Sequence, residues 1–179
     1  MPYLIAAVVL VGVLCALDLV LTLGVVKRLR EHTQLIAGVR DAGRTCKGVG
    51  EEIGEFAVTT VEGEPLTREA LGADTLVAFF SPTCRPCKEK LPQFVEYART
   101  VPGGRDRVVA AVVGDLDVNT EMVDTLRSVA RVVVEKNNEE PLGTAFGVMG
   151  FPSVVRVAPD RNGRPVVEQD RVELLPVVA

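Results

Sequence analysis

The sequence predicts an α/β domain, a sheet of mixed direction with helices on both faces, carried behind one N-terminal membrane-spanning helix. Three observations predict it. An apolar stretch near the amino terminus is long enough to cross a bilayer, the residues from about 50 onward alternate short apolar runs with amphipathic stretches, and the last runs close on a hairpin signal at Asn162-Gly163.

The first element is Tyr3 to Val26, whose only ionisable side chain is Asp18. At about 1.5 Å per residue it spans a hydrocarbon core of roughly 30 Å. Composition agrees: 47% of the 179 residues are hydrophobic although 25% are charged, and the mean hydropathy is +0.26, so the apolar excess is concentrated in one place. A cleaved signal peptide wants basic residues ahead of its apolar core, and none precede Tyr3. Leu14 is too large for a lipidation site at Cys15, which reads as an inert buried thiol. Asp18, expensive inside a span, reads as a contact with another helix or a membrane partner. The expected organisation is an anchor over 1–28, a juxtamembrane stalk and linker over 29–49, and a folded domain over 50–179. In the stalk Leu29, Leu35, Ile36 and Val39 keep roughly helical spacing until Gly38, Gly43, Gly48 and Gly50 break it. His32 reads as a solvated or head-group residue and Cys46 as a free linker thiol.

Within the domain, Phe56 to Thr60 reads as a strand, Glu62-Gly63-Glu64 as a turn, and Thr75 to Phe80 as a buried strand. Cys84 to about Val101 reads as a helix and Arg107 to Val113 as a strand. A second helix is expected over Asn119 to Ala130, opened by Asn119 or Thr120 with Glu121 in its first turn. Val132 to Glu135 is a strand, Glu139 to Phe146 a short helix, and Val154 to Ala158 and Arg164 to Glu168 are the two arms of the hairpin.

Charge excludes one class of function. Residues 1–48 hold six Lys/Arg against three Asp/Glu, leaving 14 against 21 in the rest. An acidic domain without a basic stripe or an aromatic platform is a poor nucleic-acid binder. The six cations, Lys27, Arg28, Arg30, Arg40, Arg44 and Lys47, all follow the span and can meet anionic lipid head groups. By the positive-inside rule they favour a cytoplasmic domain.

The chemistry is concentrated in Phe79-Phe80-Ser81-Pro82-Thr83-Cys84-Arg85-Pro86-Cys87-Lys88. A Cys-x-x-Cys at the junction of a buried strand and a helix places the first thiol at the helix N-terminus, where unpaired N–H groups and the macrodipole favour negative charge. Cys84 is therefore the expected nucleophile and Cys87, one turn on and less exposed, the resolving thiol. Pro86 suits the first turn, which needs no N–H from it. Arg85 and Lys88 add positive potential, unless they are simply solvated. A zinc site would need further Cys or His ligands, and outside the span only Cys46 and His32 are available. Haem attachment would need His at the position of Lys88. As a structural staple, a disulfide across two intervening residues constrains little loop entropy.

This segment, with Pro92 eight residues after the first cysteine, resembles the active site of the thioredoxin superfamily, whose later proline kinks the active-site helix. Val148-Met149-Gly150-Phe151-Pro152-Ser153 resembles the family's cis-proline loop, which faces the dithiol and offers backbone to an extended substrate. The resemblance covers about residues 50–170. It implies a thioredoxin-like fold, substrate contacts at Phe151, Pro152 and Ser153, an active-site loop including Thr83, Arg85 and Pro86, and no metal or organic cofactor. For Phe151 the sequence leaves open whether the ring lines the substrate groove or fills the core. Pro82 and Phe79 read as structural. A peroxiredoxin pattern does not fit, because Val77 stands at its proline position.

The anchor, the run Gly50-Glu51-Glu52-Ile53-Gly54-Glu55-Phe56, the turn Val61-Glu62-Gly63-Glu64-Pro65 and the CxxC together resemble the membrane-anchored TlpA-like reductases. The continuation Arg28-Leu29-Arg30-Glu31-His32 is similar to the MauD-type accessory proteins of methylamine dehydrogenase maturation. That resemblance implies a single-pass protein with an extracytoplasmic domain, against the charge rule. Its partners would be cysteine-bearing client proteins and a membrane electron donor or carrier. The alternative function is a redox-inert holding module that uses the cis-proline groove during assembly of a client. The sequence departs from the family where Ala78 stands at the position of a buried acid, Thr83 where an aromatic often precedes the first cysteine, and Pro176 in a short tail where a final helix is usual.

Overall fold

The computed structural model of the chain describes Gly12 and residues 44–174. The expected anchor apart from Gly12, with Cys15 and Asp18, residues 29–43 of the stalk, with His32, and Pro176 lie outside the described residues. Among the described residues no helix is long and apolar enough to cross a membrane.

Among the described residues seven strands and three α-helices follow in order: β1 (Ala57–Thr59), β2 (Pro65–Thr67), β3 (Thr75–Phe80), α1 (Arg85–Ala98), β4 (Val108–Val113), α2 (Leu116–Arg127), β5 (Arg131–Glu135), α3 (Pro141–Phe146), β6 (Ser153–Pro159) and β7 (Pro165–Gln169). The main sheet has the order β5-β4-β3-β6-β7. Its first three strands are parallel, and β6 and β7 run antiparallel to their neighbours. Every residue of β3 and β4 is buried, as the unbroken runs TLVAFF and VVAAVV require of strands covered on both sides. Alternation along β3 sends Leu76, Ala78 and Phe80 to one face, with α1 and α2 residues such as Phe94 and Leu126. Val77 and Phe79 go to the other, with Leu142 and Phe146 of α3 and Leu66 of β2. This is the expected α/β fold with a mixed sheet and helices on both faces.

Three expectations need correction. The helix expected from Asn119 opens earlier, at Leu116, because Gly114 turns the chain at φ 147° as β4 ends and extended Asp115 becomes the N-cap. Pro65, expected in the turn after β1, instead opens a strand, Pro65–Thr67, that pairs antiparallel with β1, Ala57 opposite Thr67; a three-residue strand opening on proline carries almost no strand signal. The compact unit begins at Arg44. Cys46 is accordingly no linker thiol: it is 3% exposed and packs in the core with Ile53 and Phe146.

Candidate active site

β3 ends at Phe80, and the chain turns through Ser81 to Thr83 into α1, with Cys84 as the N-cap and Pro86 in the first turn. The Cys84 backbone is extended, at φ −87° and ψ 114°. Its carbonyl accepts the first helical bonds from Cys87 N and Lys88 N, at 3.2 and 3.3 Å. The first turn of α1 holds no acidic residue. Pro92 lies inside the helix, which runs on to Ala98.

The two thiols are unequal. Cys84 is half-buried, and its Sγ lies 3.6 Å from the carbonyl oxygen of Phe151. Cys87 is fully buried, among Ala78, Phe80 and Phe94, and its Sγ accepts a 3.4 Å bond from Ser81 N. Burial pushes the Cys87 thiol up to about 12, the adjoining Cys84 pushes in the same direction, and the Ser81 N–H only partly offsets them. Cys46, Cys84 and Cys87 are all free thiols. Around the pair, Thr83 is exposed and its Oγ1 lies 3.2 Å from Ser81 Oγ. Arg85 is 90% exposed and its guanidinium donates to Glu89 at 2.9 Å. Its charge is thus largely offset by a neighbour, in a solvated setting where it adds little to the field at the sulfur.

The Phe151–Pro152 peptide is cis. Phe151 and Pro152 are half-buried and Ser153 is buried. The Phe151 ring packs against both core clusters, so the side chain fills core while the carbonyl faces the reactive sulfur. Ser153 Oγ shares its proton between Gly150 O at 2.8 Å and Thr45 O at 3.1 Å. The structure therefore brings Cys84, Cys87, Phe151 and Pro152 to one place, with Thr83, Arg85 and Pro86 on the exposed rim and Ser153 behind the loop.

Two supports escaped the sequence. Thr45 O accepts from Met149 N at 2.8 Å and Gly150 N at 3.3 Å, so residues 44–47 form a strap against the loop. Glu135, at the end of β5, is 2% exposed and accepts from Leu142 N at 2.7 Å and Gly143 N at 2.9 Å, capping α3 just ahead of the loop. Burial outweighs these two bonds and raises its carboxyl above the ordinary range. Nothing distinguishes Glu135 in the sequence from Glu139 and Glu140 a few residues on. It does not replace the acid missing at Ala78, because it serves α3 on the sheet face opposite Cys87. Among the described residues no cluster of three or more His, Cys, Asp or Glu could hold a metal ion.

No family model matches the chain. By fold it is similar to the thioredoxin domain of a thiol-disulfide oxidoreductase from Bacteroides vulgatus, with a TM-score of 0.52 and 15% identity over 72% of this chain and 93% of that one. A thiol:disulfide interchange protein from Bacteroides sp. is similar to the same degree, with a TM-score of 0.52 and 13% identity over 70% of this chain and 82% of that one. The fold is thus thioredoxin-like. By sequence, 69 residues are 29% identical to sporulation thiol-disulfide oxidoreductase A of Bacillus subtilis, over 38% of this chain and 42% of the Bacillus protein, less than half its length. The Bacillus protein and the Bacteroides vulgatus protein are thiol-disulfide oxidoreductases, and this chain shares a 69-residue stretch with the first and the fold with the second.

Proposed function

We propose that the protein is a single-pass membrane enzyme that exchanges dithiol for disulfide with cysteine-bearing client proteins outside the cytoplasm, in the manner of the TlpA-like and MauD-type reductases it resembles. One observation carries the exchange reading: a half-exposed thiol at a helix N-terminus, 3.6 Å from the carbonyl before a cis-proline, with a buried second thiol one turn behind.

The chemistry follows from that inequality. The Cys84 thiolate attacks one sulfur of a client disulfide, the client S–S bond breaks, and the departing client thiolate takes a proton while a Cys84–client mixed disulfide forms. Cys87 then loses its proton and attacks Cys84 Sγ, expelling the second client sulfur as a thiol and leaving a Cys84–Cys87 disulfide. Two electrons and two protons pass to the client, and a membrane carrier restores the dithiol. With Ala78 where an acid could take the Cys87 proton, and the Cys87 thiol held near 12, resolution is the demanding step. No metal or organic cofactor enters it. The Phe151 carbonyl is placed to align an extended client chain beside the sulfur.

Membrane attachment and sidedness rest on the Tyr3–Val26 stretch and on the need of an extracytoplasmic dithiol for a membrane-borne electron source. The exchange reading is tested by insulin reduction with the full-length chain in lipid nanodiscs, dithiothreitol supplying electrons. Cys84→Ser should fall to the background rate and Cys87→Ser should accumulate a mixed disulfide on Cys84; retention of turnover by Cys84→Ser overturns the proposal. A membrane-impermeant maleimide should label Cys84 in intact cells, whereas labelling only after permeabilisation places the domain inside.

A further inference from the structure

We propose that Met149 is a specificity residue of this site, selecting clients that carry an aliphatic or aromatic side chain within about three residues of the reacting cysteine. The inference rests on the exchange reading above and deepens it.

Met149 is 69% exposed, the highest value among the exposed large apolar side chains of the described residues, the others being Val49 and Val61. A single exposed apolar residue needs no explanation on a surface, but the setting of this one does. It lies two residues before Phe151, whose carbonyl faces Cys84 Sγ at 3.6 Å, so its Cα is at most roughly 7 Å from that of Phe151 along the chain. Its backbone is pinned. Met149 N donates to Thr45 O at 2.8 Å, Gly150 N donates to the same oxygen at 3.3 Å, Val148 N donates to Gly143 O at 2.9 Å, and Asn138 Nδ2 donates to Val148 O at 2.8 Å. The strap also lies so close that a Cβ on Gly150 would meet Thr45 Cγ2 at 3.2 Å.

These contacts fix a loop in which Val148 is buried, the Phe151 ring packs on the two cores and Pro152 is half-buried. Met149 is the apolar side chain of this loop left most exposed. A backbone already ordered loses little further freedom when a client docks. An extended client advances about 3.3 Å per residue, so side chains two or three positions from its cysteine reach the level of Met149. A methionine, unbranched and polarisable, adapts to many apolar partners, which fits a preference for a class of side chain over one residue type.

The test compares second-order reduction rates of the full-length chain in nanodiscs with three disulfides: a peptide with leucine beside its cysteines, the same peptide with serine there, and oxidised glutathione. Met149→Ser should slow the leucine peptide by about fivefold to tenfold, the size expected from losing part of one buried side chain. It should leave the serine peptide and glutathione unchanged, and Met149→Leu should restore the rate. Val61→Ser, which removes an apolar side chain from the β1–β2 turn beside Val132, serves as control and should alter none. An undiminished leucine-peptide rate in Met149→Ser, or an equal loss on all three disulfides, overturns the inference. A wild-type chain that reduces none of the three overturns the exchange reading itself, and this one with it.

Discussion

The two halves of the site are held in different ways. The dithiol half is local: Ser81 to Cys87 are consecutive, and the bonds that shape them, Cys84 N to Ser81 O, Cys87 N to Cys84 O and Ser81 N to Cys87 Sγ, join residues at most six apart. The loop half is held from afar at the strap, where Thr45, 108 residues from Ser153, receives its hydroxyl, while the loop's leading helix is capped by Glu135, seven residues ahead of Leu142. The reactive group is thus built by a motif, and the surface that would meet a client is built by the whole fold. Changes at the first half should therefore act on chemistry, and changes at the second on stability and client selection.

The largest expected effect sharpens the first half of that contrast. Alkylation of the native reduced chain at pH 7 should label Cys84 more than about tenfold faster than Cys87, because a thiol held near 12 is ionised in only about one molecule in 10⁵ at that pH. Cys46, pushed up to about 11 chiefly by burial and next by Asp170, should stay unlabelled until the chain is unfolded. Mass spectrometry of quenched time points checks the order, and Cys46 labelling in the native protein contradicts its place in the core.

The contrast also explains what the sequence could show. β3, α1 and the dithiol were legible because each is a short-range pattern: an apolar run, a turn with prolines, two cysteines one helical turn apart. Cys46 and Glu135 were not. Seen alone, Cys46 lies among Arg44, Lys47 and glycines and resembles a linker, and only the pairing of residues 45–47 with the loop carries it into the core. Glu135 has the composition of a strand end, and its burial depends on α3 folding back over it. Met149 was visible in the loop motif, yet only the structure shows that Phe151 turns inward and Met149 does not.

The next effect tests the loop half through Glu135. Glu135→Ala leaves the Leu142 and Gly143 N–H groups without their acceptor and opens space in the core, which should cost about 2–4 kcal/mol in urea denaturation. Glu135→Gln keeps an acceptor for one of them and should lose less. The pH dependence has a definite sign. The carboxyl is raised in the folded chain, first by burial and, of the charges, by Glu140. Between its ordinary value of 4.5 and that raised value the folded state holds more proton than the unfolded one, so this group's contribution falls as pH rises through the window. The stability advantage of wild type over Glu135→Gln should accordingly shrink from pH 4.5 upward and then level off. An advantage that grows over that range contradicts the raised carboxyl.

The smallest effect bears on the strap. Ser153→Ala removes one hydroxyl that bridges the loop at Gly150 O and the strap at Thr45 O. Thr45 O is not stranded by the change, since it still accepts from Met149 N and Gly150 N. The cost should be about 1 kcal/mol, the net worth of an ordinary hydrogen bond. Because Ser153 lies behind the loop and the sulfurs sit in front of it, Cys84 alkylation should keep its rate in the variant. A stability change near 1 kcal/mol with unaltered alkylation is what separate construction of the two halves demands. A loss of Cys84 reactivity in Ser153→Ala would instead show that the strap sets the geometry of the thiol as well as that of the loop.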